Sequence, residues 1–378
     1  MIDRDELAAW LRLVATPGIG RDAARRLLAE FGSPERVLGA SIAARRPLVG
    51  DAAAAALAKE PPELAGLIAA AVAWLEARPA GASGGRDVLV LGDPRYPASL
   101  LDTADPPTLL YAEGRIELLG APAIAVVGSR NPTAQGLENA RAFASHLSRA
   151  GLVVVSGLAL GIDGAAHEGA LEGQAAGAAG GTIAVVGTGL DLVYPARHRA
   201  LAHRIAAAGL LVSEFPVGTA SRPENFPIRN RIIAGLARGT LVVEAAMRSG
   251  SLITARLALE AGREVFAIPG SIHSPQARGC NALLKQGAKL VDSATDILEE
   301  FSLVRPTPAA RSGAPEPARA GPADPLLEAL GFDPIGLDAL VARTGMSAAD
   351  LSARLLELEL AGRVARLPGQ LFQRVERG

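Results

Sequence analysis

The sequence predicts an α/β protein: an extended Rossmann-like, doubly wound, mostly parallel sheet, flanked by a helical amino-terminal domain and a carboxy-terminal winged helix. Three observations predict it. Apolar runs of strand length recur at 123–127, 152–155, 183–186, 210–212, 241–243 and 265–268, with helical stretches between most of them. The runs are continuously apolar rather than alternating, as strands covered on both faces require. The two ends of the chain have a different texture, and a Pro/Ala/Gly/Arg stretch sets the last part off.

Taken in order, residues 1–80 read as a helical domain of helix-hairpin-helix or sterile-alpha-motif type. Leu7, Leu11 and Val14 recur at helical spacing, and a second helix is expected from Arg21 to Phe31. Thr16-Pro17-Gly18-Ile19-Gly20 between them resembles a helix-hairpin-helix turn, whose glycines let backbone N–H groups approach a phosphate. An ordinary helix–helix turn reads the same, although six arginines against three acids over 21–46 lean toward phosphate. A Gly/Ala/Ser-rich break at 79–86 precedes the Rossmann-like domain, 87–304. Residues 305–323 are read as a linker and 324–378 as the winged helix, with Ser347 as an N-cap and Asp350 three residues on.

Composition narrows the function. The chain has 378 residues, 49% of them hydrophobic, and a mean hydropathy of +0.25, which is globular rather than disordered. Net charge is −1, not the surplus of a basic nucleic-acid binder. Its distribution is uneven: residues 222–285 carry nine Lys/Arg against four Asp/Glu, whereas 324–378 carry six against eight. A binding face is therefore expected in the middle of the chain. Cys280 is the single cysteine, so neither an intramolecular disulfide nor a cysteine zinc site is expected. Charged residues from Asp3 onward argue against a signal peptide, and the apolar runs are too short for a membrane span. A cytoplasmic location is expected, with no cofactor and no metal.

The chemistry concentrates at the strand ends, where open parallel sheets bind ligands. The first carries Gly128-Ser129-Arg130. The second carries Ser156-Gly157-Leu158-Ala159-Leu160-Gly161-Ile162-Asp163 and then His167. The third carries Gly187-Thr188-Gly189, and a later one Glu244 followed by Arg248-Ser249-Gly250-Ser251. Small residues there let backbone amides meet an anion beside helix N-termini. Tight βα turns need glycine whatever binds, but four such turns with Arg130 and Arg248 beside them point to a phosphate-bearing ligand. Neither a dinucleotide fingerprint nor a P-loop is present. Phe226-Pro227-Ile228-Arg229-Asn230-Arg231 is the densest cluster: arginine forks suit phosphate, and a ring stacks a base without choosing among bases. Phe226 is alternatively a core residue. His167 reads as a phosphate contact or as a side chain orienting the turn, Asp163 as a turn former, and Glu244 as a partner for arginines.

These motifs resemble the DNA-processing protein A (DprA) family. The resemblance rests on GSR at 128–130, SGLALGIDGAAHEGAL at 156–171, GTGLDLVYPARH at 187–198, SEFPVGT at 213–219, FPIRNRIIAGLA at 226–237, VVEAAMRSGSLITARLALEAGREVFAIPG at 242–270 and GCNALLKQGAKL at 279–290. It implies a non-enzymatic protein that binds single-stranded DNA without regard to sequence, forms a homodimer, protects incoming strands in natural transformation and helps load RecA recombinase. It also implies a strand pocket of Gly128, Ser129, Arg130, Gly157, Gly161, His167, Phe226, Arg229, Asn230, Arg231, Ser249, Gly250 and Thr254, with Arg197 and Lys285 as outlying basic contacts. Two departures stand out. Leu160 occupies a position where many relatives have Lys or Arg, and 174–180 reads as a small surface-loop insertion. The rival reading is a Rossmann-like enzyme of the nucleotide phosphoribohydrolase type, whose PGG-x-GT signature is replaced here by RSGSLITA.

Overall fold

The computed structural model describes residues 2–77, 84–177, 180–303, 324–331 and 334–375. It opens with α1 (Arg4–Ala15), α2 (Arg21–Phe31), α3 (Pro34–Gly39), α4 (Ile42–Ala56) and α5 (Leu64–Glu76). Asp3 caps α1 by accepting from the Asp5 amide, which satisfies one of the free N–H groups of the first turn. Gly18, in the turn to α2, takes φ +82° and backs onto Ala53, so its missing side chain serves conformation and packing. The arginines of 21–46 are largely engaged. Arg21 and Arg25 bond Asp105, Arg26 and Arg46 pair with Asp22 and Asp51, and Arg45 is buried. Leu7, Trp10 and Leu11 of α1 and Trp74 of α5 share one apolar cluster with Val88, Val90 and Tyr111, so these helices cover one end of the sheet.

That sheet has nine strands: β1 (Gly85–Val90), β2 (Leu109–Gly114), β3 (Ala123–Val127), β4 (Val153–Ser156), β5 (Gly181–Val185), β6 (Leu210–Ser213), β7 (Gly239–Val242), β8 (Glu264–Ala267) and β9 (Lys289–Leu290). Their order is β1-β2-β6-β5-β4-β3-β7-β8-β9, parallel from β6 to β9, with β2 antiparallel to both β6 and β1. All six predicted runs are strands. Alternate residues of β3 explain why the runs are unbroken: Ile124 and Val126 enter one core cluster, Ala123, Ala125 and Val127 another. The sequence reading did not single out β1, β2 or β9; the first two form an antiparallel extension and the last is two residues long.

The intervening helices are α6 (Ala98–Leu101), α7 (Ala134–Arg149), α8 (Ile162–Ala175), α9 (Arg199–Ala208), α10 (Asn225–Leu236), α11 (Ser251–Glu260), α12 (Arg278–Lys285) and α13 (Ala294–Glu300). Gln174 and Ala175 end α8 rather than forming a loop; 178–179 lie outside the described residues. The chain winds from β3 through β4 and β5 to β6, then returns to the other side of β3 for β7, β8 and β9. Connections therefore part at the carboxyl ends of β3 and β7, leaving a crevice there.

The last part holds α14 (Pro325–Leu330), β10 (Ile335–Gly336), α15 (Leu337–Thr344), α16 (Ala348–Leu360), β11 (Val364–Leu367) and β12 (Leu371–Arg374) around Leu340, Leu351, Leu355 and Phe372. This is the expected winged helix, and Ser347 caps α16 by accepting from the Asp350 amide at 3.2 Å. The expected linker, 305–323, lies outside the described residues.

Candidate functional site

The strand-end turns meet at a cleft of about 670 Å³ at the β3/β7 crevice. The turn after β3 supplies Gly128, Ser129, Arg130 and Asn131, the turn after β4 supplies Ala159, and the first turn of α8 supplies Asp163. The chain entering α11 supplies Arg248, Ser249 and Gly250, α11 itself Ser251 and Thr254, and α10 supplies Phe226, Arg229 and Asn230. Backbone bonds pin the first turn on both sides. The Ser129 amide donates to Glu244 O at 2.7 Å, and its carbonyl accepts from the Ile162 amide at 3.1 Å. Asn230 Nδ2 reaches Gly250 O at 3.5 Å, a long contact between α10 and the start of α11.

Two features of the wall suit an anion. The positive end of the α11 dipole lies at Gly250 in the cleft wall, its first amides held by short local bonds (Ser251 to Ser249 Oγ at 3.4 Å, Leu252 to Ser249 O and Ile253 to Gly250 O at 3.1 Å), and the Ser249 and Ser251 hydroxyls lie 2.7 Å apart beside them. Arg130 and Arg248 are exposed and have no ion-pair partner among the described residues. The Arg130 guanidinium stands 5.3 Å from the centroid of the half-buried Phe226 ring. Tyr194, 48% exposed, stands 5.6 Å from the same ring, tilted by 39°. An open guanidinium and two rings thus share one mouth.

Beneath the mouth, several expected contacts have other work. Arg229 is 3% exposed and donates to Gly157 O and Val185 O, so it props up the sheet end and does not face a phosphate. Burial lowers its pKa to about 10, opposed by the Asp163 carboxylate, which leaves it charged at neutral pH. Asp163 accepts from the Gly157 amide at 3.1 Å and the Ala159 amide at 3.3 Å, the turn-forming role read from sequence. Burial raises its pKa, against the pull of Arg229. Gly157 is buried, and a Cβ there would sit 2.3 Å from the Arg229 guanidinium. Arg231 bonds Asp105 at 3.0 Å and also Glu214; with Arg21 and Arg25 on the same two acids, it clasps α10 to α2 instead of lining the cleft. Glu244 is no arginine partner: it accepts from the Thr133 amide at 2.9 Å and hydroxyl at 2.5 Å, at the start of α7. Gly161, with Arg197, borders a separate groove, and Lys285 is exposed on α12 outside the cleft.

His167 is fully buried, so it orients the turn and contacts no ligand. Its hydrogen bonds dictate its tautomer. The Thr182 hydroxyl gives its proton to Val154 O at 2.8 Å, so at 2.7 Å it must accept from Nδ1–H of His167. Nε2 is then bare and accepts from the Leu158 amide at 3.3 Å. Desolvation lowers the pKa to about 3. The unfolded chain thus binds a proton near pH 6.5 that the folded protein refuses until about pH 3. This contribution to stability is complete above pH 6.5 and is lost as pH falls toward 3, at up to about 1.4 kcal/mol per pH unit. His167→Gln keeps an acceptor for Leu158 but cannot titrate. Its denaturation free energy should fall less steeply than wild type between pH 6 and 4; identical slopes would mean that His167 is charged in the fold.

Tyr194 and Gln276 were not singled out in the sequence. Gln276 lies 3.3 Å from the Ser129 hydroxyl and donates to Asn131 O at 3.1 Å, bracing the first turn. Tyr194 carried a signal, since the chain has three tyrosines and this one precedes a proline inside a motif next to a strand end.

Comparison with known proteins agrees with this architecture. Residues 87–302 match the family of DNA recombination-mediator protein A, and 308–370 match the DprA winged helix domain. Protein Smf of Escherichia coli is 45% identical over 280 residues, covering 72% of this chain and 74% of that protein. DNA processing protein DprA of Streptococcus pneumoniae is 49% identical over 209 residues, 55% of this chain and 72% of that protein. The crystal structure of DprA from Streptococcus pneumoniae superposes with a TM-score of 0.65 at 36% identity, over 79% of this chain and 98% of that one. A Helicobacter pylori DprA structure, described for its single-stranded DNA binding mode, gives 0.51 at 28%, over 58% and 96%. With its Rossmann-like domain and its winged helix both matched, the chain belongs to the DNA processing protein A family.

Proposed function

We propose that the cleft binds single-stranded DNA without regard to sequence. The observation that carries this is the mouth of the cleft, where the exposed Arg130 guanidinium stands over Phe226 with Tyr194 beside it. The guanidinium suits a phosphate, and the rings accept any base face. The positive end of the α11 dipole and the serine hydroxyls there suit a second phosphate. A relative described as a single-stranded DNA binder supports the reading. Gly128, Ser129, Arg130, Phe226, Asn230, Ser249, Gly250 and Thr254 form the site, with Arg197 and Lys285 as outlying contacts. Family membership extends the reading: a non-enzymatic cytoplasmic homodimer that protects incoming strands during natural transformation and helps load RecA recombinase. In this reading the chain divides into a helical domain at 1–80, the DNA-binding Rossmann-like domain at 87–304, a linker at 305–323 and the winged helix at 324–378.

The test compares affinity for a single-stranded oligonucleotide, the matching duplex and a mononucleotide, with the single strand expected to bind tightest. Arg130→Ala should weaken that binding in a folded protein and flatten its logarithmic salt dependence by about one unit of slope or less. Unchanged affinity and slope would remove Arg130 from the site.

The winged helix is read as dispensable for this binding. Arg354, the single basic residue of α16, is held by Glu357 and Asp324, while Leu356 and Leu360 are exposed on the same helix. Such a helix is unlike the basic reader of a groove. Truncation after Ala320 should leave single-strand affinity within about twofold, a change of roughly 0.4 kcal/mol. A folded truncate that loses most of its affinity would overturn this assignment.

A further inference from the structure

The turn after β4 holds Leu158 at φ +58°, a left-handed conformation that costs a branched side chain about 1 kcal/mol or more. Leu158 cannot swing free, being 1% exposed in the core. Both of its peptide groups are gripped by imidazoles. Its amide donates to His167 at 3.3 Å, and its carbonyl lies 3.0 Å from Nδ1 of His198, which must carry the proton because a carbonyl only accepts. His198 also has a fixed seat. Its ring lies over Gly164, where a Cβ would come within 2.7 Å of Cε1, and its own amide donates to Pro195 O at 2.9 Å. The segment that carries His198 carries Tyr194, which stands against Phe226 at the cleft mouth. The turn that His198 grips places Ala159 in the cleft wall and leads into α8, whose Asp163 lies there too. One hydrogen bond therefore joins the ring-bearing segment to the strand-end turn.

We propose that His198 is a positioning residue for the cleft: through the Leu158 carbonyl it locks the turn after β4 to the segment bearing Tyr194, so that wall and rings meet a strand in one arrangement. The proposal rests on the reading of the cleft as a single-strand site. His198 does not line the cleft itself; it lines the neighbouring groove with Gly161, Gly164 and Arg197. Its effect on binding must then pass through the backbone it holds.

Asparagine separates this role from simple filling of space, because its side-chain amide places an N–H about as far from Cβ as Nδ1 of histidine. Affinity for fluorescein-labelled oligo(dT) and melting temperature are measured for the full chain, His198→Leu and His198→Asn. His198→Leu should bind about tenfold more weakly, the scale of one lost hydrogen bond, and His198→Asn within about twofold of wild type. Both should melt within a few degrees of it. If His198→Leu does not fold, His198→Ala replaces it with the same expected loss. Wild-type affinity in the Leu or Ala variant overturns the proposal, and so does an equal loss in His198→Asn, which would make the ring rather than its donor the requirement. Failure of the wild type itself to bind oligo(dT) would instead defeat the single-strand reading, and the proposal with it.

Discussion

Arg229→Ala should destabilise the fold by roughly 2–6 kcal/mol, the cost of leaving two buried carbonyls without their donor at about 1–3 kcal/mol each. The guanidinium is 3% exposed and donates to the carbonyls of Gly157 and Val185 at the ends of β4 and β5. Those carbonyls would lose a charged donor, and the buried Asp163 would lose the cation that opposes its desolvation. Arg229→Lys should rescue little, since a single ammonium of shorter reach does not reproduce the planar fork. Urea denaturation measures the loss; a drop under about 1 kcal/mol would show the two carbonyls satisfied without Arg229. The salt dependence of DNA binding gives a second contrast. A buried guanidinium releases no counterion from a strand, so any folded Arg229 variant should keep the wild-type salt slope, whereas Arg130→Ala should not.

The strands were legible because both faces of the sheet are covered, which turns each one into an unbroken apolar run. The FPIRNR cluster shows where sequence proximity misleads. On a helix consecutive side chains point about 100° apart, so three polar neighbours cannot form one patch. In α10, Arg229 turns into the sheet end, Asn230 toward Gly250, and Arg231 away to Asp105 and Glu214. Arginine as a residue type suits phosphate in every one of these environments, but only Arg130 and Arg248 are left open to solvent in the cleft, whereas Arg229 and Arg231 are taken up by carbonyls and acids. Of the two readings of His167, orienting the turn is the one the fold follows; residues alone could not choose between them, because its hydrogen-bond partner Thr182 lies on β5 and is no sequence neighbour. Tyr194 meets Phe226 only because the connection after β5 and the start of α10 reach the same end of the sheet.

Phe226→Ala should produce the largest loss of binding, about 1–3 kcal/mol, the usual worth of one base stacked on a ring. The ring is half-buried: one edge packs on Gly187, while the Arg130 and Arg229 guanidinia lie 5.3 Å and 5.9 Å from its centroid. Being partly exposed already, it should leave a shallower cavity than a core phenylalanine, and the stability loss should stay below the roughly 3–5 kcal/mol of a fully buried ring. Stacking releases no counterions, so the affinity deficit should persist as salt rises, whereas that of Arg130→Ala should shrink. Phe226→Tyr keeps a stacking face and should retain most of the affinity. The two substitutions are coupled, because a guanidinium over a ring face orients it; the double variant should lose less than the sum of the single losses. Oligo(dT) titrations of the four variants at two salt concentrations, with melting curves alongside, decide the matter. A large melting loss with unaltered affinity would make Phe226 a packing residue and leave Tyr194 as the ring available to a base.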